Sequence, residues 1–77
     1  MTRYYFDIRD GDDLCPDEEG LELSDLKAAE VEAAHSLAVL ARDSASGDNW
    51  SLAIEVRTVD GPIFQAAFLF DVTRLRQ

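Results

Sequence analysis

From Arg3 to Arg9 apolar and polar residues alternate: Tyr4, Phe6 and Ile8 share one side, and Arg3, Tyr5, Asp7 and Arg9 share the other. A period of two is that of an extended strand with one face on a core, so the chain is expected to open with a β-strand. Asp10-Gly11-Asp12 carries turn chemistry, because Asp-Gly supports the left-handed backbone of tight connections. Pro16 has no amide to donate, so residues 10–19 read as a loop rather than a paired central strand. Pairing is expected to resume at Gly20-Leu21-Glu22-Leu23 as a short edge strand.

Ser24 or Asp25 suits a helix N-cap, since a short side-chain oxygen accepts from amides left free in the first turn. Between Leu26 and Asp43 there is no Gly or Pro, and Leu26, Ala29, Ala33, Leu37, Leu40 and Ala41 recur at three and four. That spacing predicts an amphipathic helix. Its alanines allow close approach to a sheet, and each of its three leucines should contribute about 1.5–3 kcal/mol on burial. Glu30 falls near the apolar stripe and reads as a carboxylate that reaches solvent at the sheet margin or pairs with an arginine. Val31, His35 and Val39 form a second stripe at spacing four, away from the Leu37 side.

Residues 44–49 read as a loop by composition, with Gly47 placed to end the helical region. Two alternating runs follow. Trp50, Leu52, Ile54 and Val56 form one apolar row, and Phe64, Ala66, Phe68 and Phe70 form another beyond Asp60-Gly61-Pro62. They predict a hairpin whose turn length decides the register. A two-residue turn at Asp60-Gly61 would set the phenylalanines opposite Arg57, Ala53 and Ser51. A three-residue turn, Val59-Asp60-Gly61, brings both apolar rows to one side and is the favoured reading.

The fold class expected is therefore α+β: a single helix packed on one face of a four-stranded, mainly antiparallel sheet in the order β-β-α-β-β, with Tyr4, Leu37 and Phe68 in one interior. One helix covers only one side of a sheet. The other side would still carry Tyr5, Ala53, Val59, Ile63, Ala67 and Leu69. Tyr5, Ala53, Ile63, Ala67 and Leu69, with Val31, His35 and Val39 on the helix, are the candidate dimer surface.

At 77 residues the chain has room for one domain, residues 1–77, and 47% hydrophobic content is ordinary for a globular fold. No apolar run approaches the roughly 18–20 residues that span a bilayer, and the first residues lack the layout of a secretory leader. With Cys15 as the single cysteine, a cytoplasmic location is expected. Cys15 itself reads as inert, having no His or Lys near it in sequence. The net charge of -9 repels phosphate backbones and anionic lipid heads, which argues against nucleic-acid and membrane partners. Arg3, Arg9, Arg57, Arg74 and Arg76 read as surface arginines that neutralise nearby carboxylates.

Nine of the sixteen acidic residues lie between Asp7 and Asp25, where Arg9 is the one basic residue. This segment offers carboxylates without the His, Ser or Lys partners of a nucleophilic or acid-base site. No Ser-His-Asp set, Gly-rich phosphate loop or CxxC pair occurs, so neither enzymatic activity nor a cofactor is expected. Calcium takes six to eight oxygens, yet Gly11 and Pro16 break the spacing of a calcium-binding helix-loop-helix, and calcium binding is the weakest of three alternatives. Asp12, Asp13, Asp17, Glu18 and Glu19 remain as a candidate partner-binding loop for a basic protein, in the manner of an acidic inhibitor or antitoxin. The leading expectation is a small homodimeric interaction or regulatory module.

Arg3-Tyr4-Tyr5-Phe6-Asp7-Ile8-Arg9-Asp10-Gly11-Asp12, followed by Asp17-Glu18-Glu19-Gly20-Leu21-Glu22-Leu23-Ser24-Asp25-Leu26 and the alanine-rich helix, resembles a family of short uncharacterised alphaproteobacterial proteins common in rhizobia. The resemblance spans nearly the whole chain. It implies the order of elements and a cellular context, and it transfers no catalytic residue.

Overall fold

The computed structural model describes residues 1–44 and 49–76. Five strands and one helix follow one another: β1 Thr2–Asp10, β2 Asp13–Cys15, β3 Leu21–Leu23, α1 Leu26–Ser44, β4 Asn49–Thr58 and β5 Gly61–Asp71. The expected α+β class and the order of elements are those observed, with one strand more than expected. The extra strand is β2, which the prediction assigned to a loop. It forms because the turn at Gly11-Asp12 returns the chain on itself, setting Asp10 opposite Asp13 and Ile8 opposite Cys15. Pro16 ends it at once by removing the next donor.

The sheet is antiparallel in the order β2-β1-β4-β5, and β3 pairs with the other end of β1. Thus the outer edge of β1 is shared by two short strands: β3 covers Thr2 to Tyr4 and β2 covers Ile8 to Asp10. The hairpin of β4 and β5 has the predicted outcome by a different route. Its turn contains two residues, Val59 and Asp60, between paired Thr58 and Gly61, and the Asp60 amide donates to Thr58 Oγ1 at 3.2 Å. The register shift falls one step further on, where Arg57 opposes Pro62 and Val56 opposes Phe64, leaving Ile63 as the extra residue. Pro62 cannot donate to the ladder, so the irregularity sits beside it. Phe64, Ala66, Phe68 and Phe70 then stand opposite Val56, Ile54, Leu52 and Trp50, as the favoured reading required.

Asp25 caps α1, its Oδ1 accepting from the Ala28 amide at 2.9 Å. The predicted helix termination at Gly47 lies outside the described residues. The helix buries Ala29, Ala33, Leu37 and Ala41 against Tyr4, Leu52, Ile54 and Val56. Of the three leucines expected in the core, Leu37 alone is buried; Leu40 is partly buried, and Leu26, in the first turn, is 45% exposed. Phe68 also departs from expectation. It is 37% exposed and stacks on Trp50 at a centroid distance of 5.5 Å, at the rim rather than inside the shared interior of Tyr4 and Leu37. The reason is width. A helix with its side chains is about 10–12 Å across and strands are spaced about 4.8 Å apart, so one helix cannot roof the whole sheet.

Gly20 links β2 to β3 with φ of +74°, and a Cβ there would approach Arg3 Cγ at 2.8 Å and Tyr5 Cε2 at 3.0 Å. Gly20→Ala is expected to cost at least about 1–2 kcal/mol from the left-handed backbone alone. The contact with Arg3 should add to it. Thermal melting by circular dichroism reads the loss, and an unchanged midpoint would contradict the close packing described.

Candidate functional site

The β1 edge has a gap. Between the residues paired with β3 and those paired with β2, the Phe6 amide has no strand partner, and the acidic connection fills the place. Asp17 Oδ2 accepts from the Phe6 amide at 3.1 Å, while its Oδ1 accepts from the Glu19 and Gly20 amides at 3.0 and 3.1 Å. The carboxylate acts as the missing piece of strand and as the clamp of its own turn.

Arg57 holds this connection on the face of the sheet opposite the helix. Its Nε donates to Asp7 Oδ2 at 2.7 Å, its Nη2 donates to the Asp17 carbonyl at 2.9 Å, and its guanidinium lies 4.6 Å from the Tyr5 ring centroid. The Asp17 amide in turn donates to Asp7 Oδ1 at 2.8 Å. Asp7 is buried, and each of its carboxylate oxygens has a donor. At the next position Arg3 donates to Glu22 at 2.9 Å and to the Glu19 carbonyl at 2.7 Å. These fixed donors and acceptors serve each other, which is how a network that holds a fold is built.

Partial burial works to raise the Asp17 pKa, but amide hydrogen bonds from Gly20, Phe6 and Glu19 and the charge of Arg57 outweigh it and hold the carboxyl below its ordinary value. A depressed native pKa contributes stability that is present above the unfolded value of 3.8 and is lost as pH falls through the native one. The stability difference between the native protein and Asp17→Ala should therefore be largest near neutral pH and shrink below about pH 4. Urea denaturation across that range tests it. A difference independent of pH would remove the charge from the explanation.

The other residues of the candidate loop, Asp12, Asp13, Glu18 and Glu19, are exposed. Asp12 and Asp13 belong to the β1–β2 hairpin, and Glu18 and Glu19 to the connection beside Arg3 and Arg57. Among the described residues no group of three His, Cys, Asp or Glu side chains is placed to hold a metal ion. No helix among them is long and apolar enough to cross a membrane.

The candidate dimer residues lie on two different surfaces. Tyr5, Ala53, Ala67 and Leu69 belong to the sheet face away from the helix, Ile63 to the bulge at its margin, and Val31, His35 and Val39 to one exposed flank of the helix. Tyr5 is half-buried and engaged by Arg57, whereas Leu69 is 75% exposed. On the other side of the sheet, His35, Ser36, Val39 and Leu40 meet Ile8 in an open groove of about 360 Å³. Sequence reasoning had Arg57 neutralise carboxylates without naming Asp7, and took Asp17, which the fold uses internally, for part of a partner-binding loop. The one available signal was the odd placement of Asp7 within an aromatic strand.

No curated protein and no solved structure matches the chain. A family model described as a domain of unknown function, DUF6894, matches residues 3–69. With most of its length covered by that match, the chain belongs to the DUF6894 family.

Proposed function

We propose that the chain is a small cytoplasmic interaction module that works as a homodimer, without catalysis of its own. The observation that carries this reading is surface area. The chain exposes 5645 Å², whereas a compact monomer of its mass would expose about 4,700 Å². Part of that excess comes from the exposed segment 72–76 beyond β5, and part from apolar side chains exposed on the sheet and helix. The shape agrees, with a radius of gyration of 14.2 Å against about 11.5 Å for a compact domain of this length. Apolar side chains contribute to that surface on both sides of the sheet, including Leu69, Ile63 and Phe68 on one strand.

Sedimentation equilibrium is expected to give twice the chain mass of 8.6 kDa at high micromolar concentration. Association should strengthen with salt, because two copies each carrying -9 repel at low ionic strength. A monomer throughout the concentration range would remove the reading.

A second reading is favoured by the division within the acidic segment. Asp17 is occupied internally, while Asp12, Asp13, Glu18 and Glu19 are exposed and together offer a basic protein a negative surface. Neutralising these four as Asn or Gln should abolish salt-sensitive capture of a native partner. Unchanged capture would contradict this role.

A further inference from the structure

Four observations converge on the outer edge of β5. It is an edge strand, since among the described residues its one strand neighbour is β4. At eleven residues, Gly61–Asp71, it is the longest strand in the sheet. Its sequence from Pro62 to Phe70 contains no Asp, Glu, Lys or Arg, although 30% of the chain is charged. Proteins usually protect a long edge with charges, Pro, bulges, shortness or a cover; β5 has Pro62 and the bulge at Ile63 at its first end, while Phe64 to Phe70 carries neither these nor a charge. Both faces of the strand also carry exposed apolar side chains: Phe68 beside the helix layer at 37%, and Leu69 on the opposite face at 75%.

We infer that β5 pairs antiparallel with β5 of a second copy of this chain about a twofold axis at Ala66, joining two sheets into one. This rests on the homodimer reading and specifies its interface. The choice of occupant follows from charge. A chain of net charge -9 approaches its own copy most easily where neither contributes a carboxylate, and the uncharged segment of β5 is such a place. The choice of register follows from the same segment. Ala66 is the midpoint of 62–70, so a twofold there overlaps the uncharged residues completely and leaves Asp71 at the end of the strand, opposite Gly61 of the partner subunit.

The register has side-chain consequences on both faces. Phe64 stands opposite Phe68 of the partner subunit on the helix side, and Ile63, at the bulge, comes near Leu69 of the partner subunit. Aromatic and aliphatic cross-strand pairs of this kind stabilise antiparallel ladders. The small Ala66 lies at the axis, where two copies of one side chain meet. Pairing along the edge would also give strand partners to the backbone groups on the side of β5 away from β4.

Disulfide trapping in the full chain tests the arrangement, with exposed Cys15 first changed to Ser. Cα atoms directly opposed across an antiparallel pair lie about 4.5–5.5 Å apart, inside the span of about 4.4–6.8 Å that a disulfide bridges. Ala66→Cys is expected to cross-link nearly completely under mild oxidation, and Ala53→Cys or Val39→Cys hardly at all. Sedimentation of the unoxidised proteins is measured in parallel. A dimer that traps through Ala53→Cys or Val39→Cys, or through none of the three, overturns the edge arrangement while leaving the homodimer reading intact. A monomer overturns both. Should Ala66→Cys fold poorly, hydrogen exchange on the unaltered protein decides: amides within 63–70 should become more protected as concentration rises through the dimer transition, and concentration-independent exchange there sinks the proposal.

Discussion

Leu37→Ala is expected to lower stability by about 2–5 kcal/mol, the range for truncating a buried leucine that leaves a cavity. The inward face of α1 consists of Ala29, Ala33, Leu37 and Ala41, so among the described residues Leu37 is the one large side chain that the helix buries. The alanines permit close approach but supply little apolar area. A domain of this length has a total stability of roughly 4–12 kcal/mol, so one substitution can consume a large share. At about 4–8 °C per kcal/mol, the thermal midpoint should fall by at least about 8 °C. Leu40→Ala, at the rim of the groove, is the comparison: its side chain is already partly in water and its loss should be smaller. Equal midpoints for the two variants would show that the helix is not anchored through Leu37.

The second large effect concerns the pair beneath the acidic connection, and it should be asymmetric. Arg57→Ala removes the ion partner of Asp7, whose side chain is 9% exposed, and leaves that carboxylate enclosed with the Asp17 amide alone. Asp7→Ala leaves a guanidinium that is 33% exposed and still reaches the Asp17 carbonyl, the Tyr5 ring and solvent. A buried charge without its partner costs more than a charge that can turn to water. Urea denaturation at neutral pH should therefore place Arg57→Ala below Asp7→Ala. Arg57→Lys should rescue little, because a single ammonium cannot direct separate donors to Asp7 and to the Asp17 carbonyl while lying over Tyr5. Full rescue by lysine would mean that charge alone matters at this position.

The same cluster shows where reading the chain in order reached its limit. The stretch Asp10 to Glu19 is conspicuous for its carboxylates, and composition alone treats them as equivalent. They are not equivalent once folded. Asp17 supplies the acceptor that a neighbouring strand would give the Phe6 amide, and Asp7, just before this stretch, neutralises Arg57 from fifty residues away, whereas Asp12, Asp13, Glu18 and Glu19 are exposed. No local pattern marks that division, because it depends on which backbone amides the sheet leaves unpaired. Phe68 makes the corresponding point for the core. Its alternation identified the correct face, but its exposure depends on how far one helix extends across the sheet.

What the sequence by itself determined was the set of elements and the faces they turn inward. Period-two alternation assigned the long strands, the Leu26-to-Asp43 stripe assigned the helix, and Ser24-Asp25 marked its start, because these signals are properties of neighbouring residues along one chain. What only the tertiary structure decided was the β2 hairpin, the bulge at Ile63, the seating of Asp17 on the β1 edge and the place of β5 at the edge of the sheet among the described residues. Each of these depends on backbone hydrogen bonds being satisfied, or left open, between segments distant in sequence.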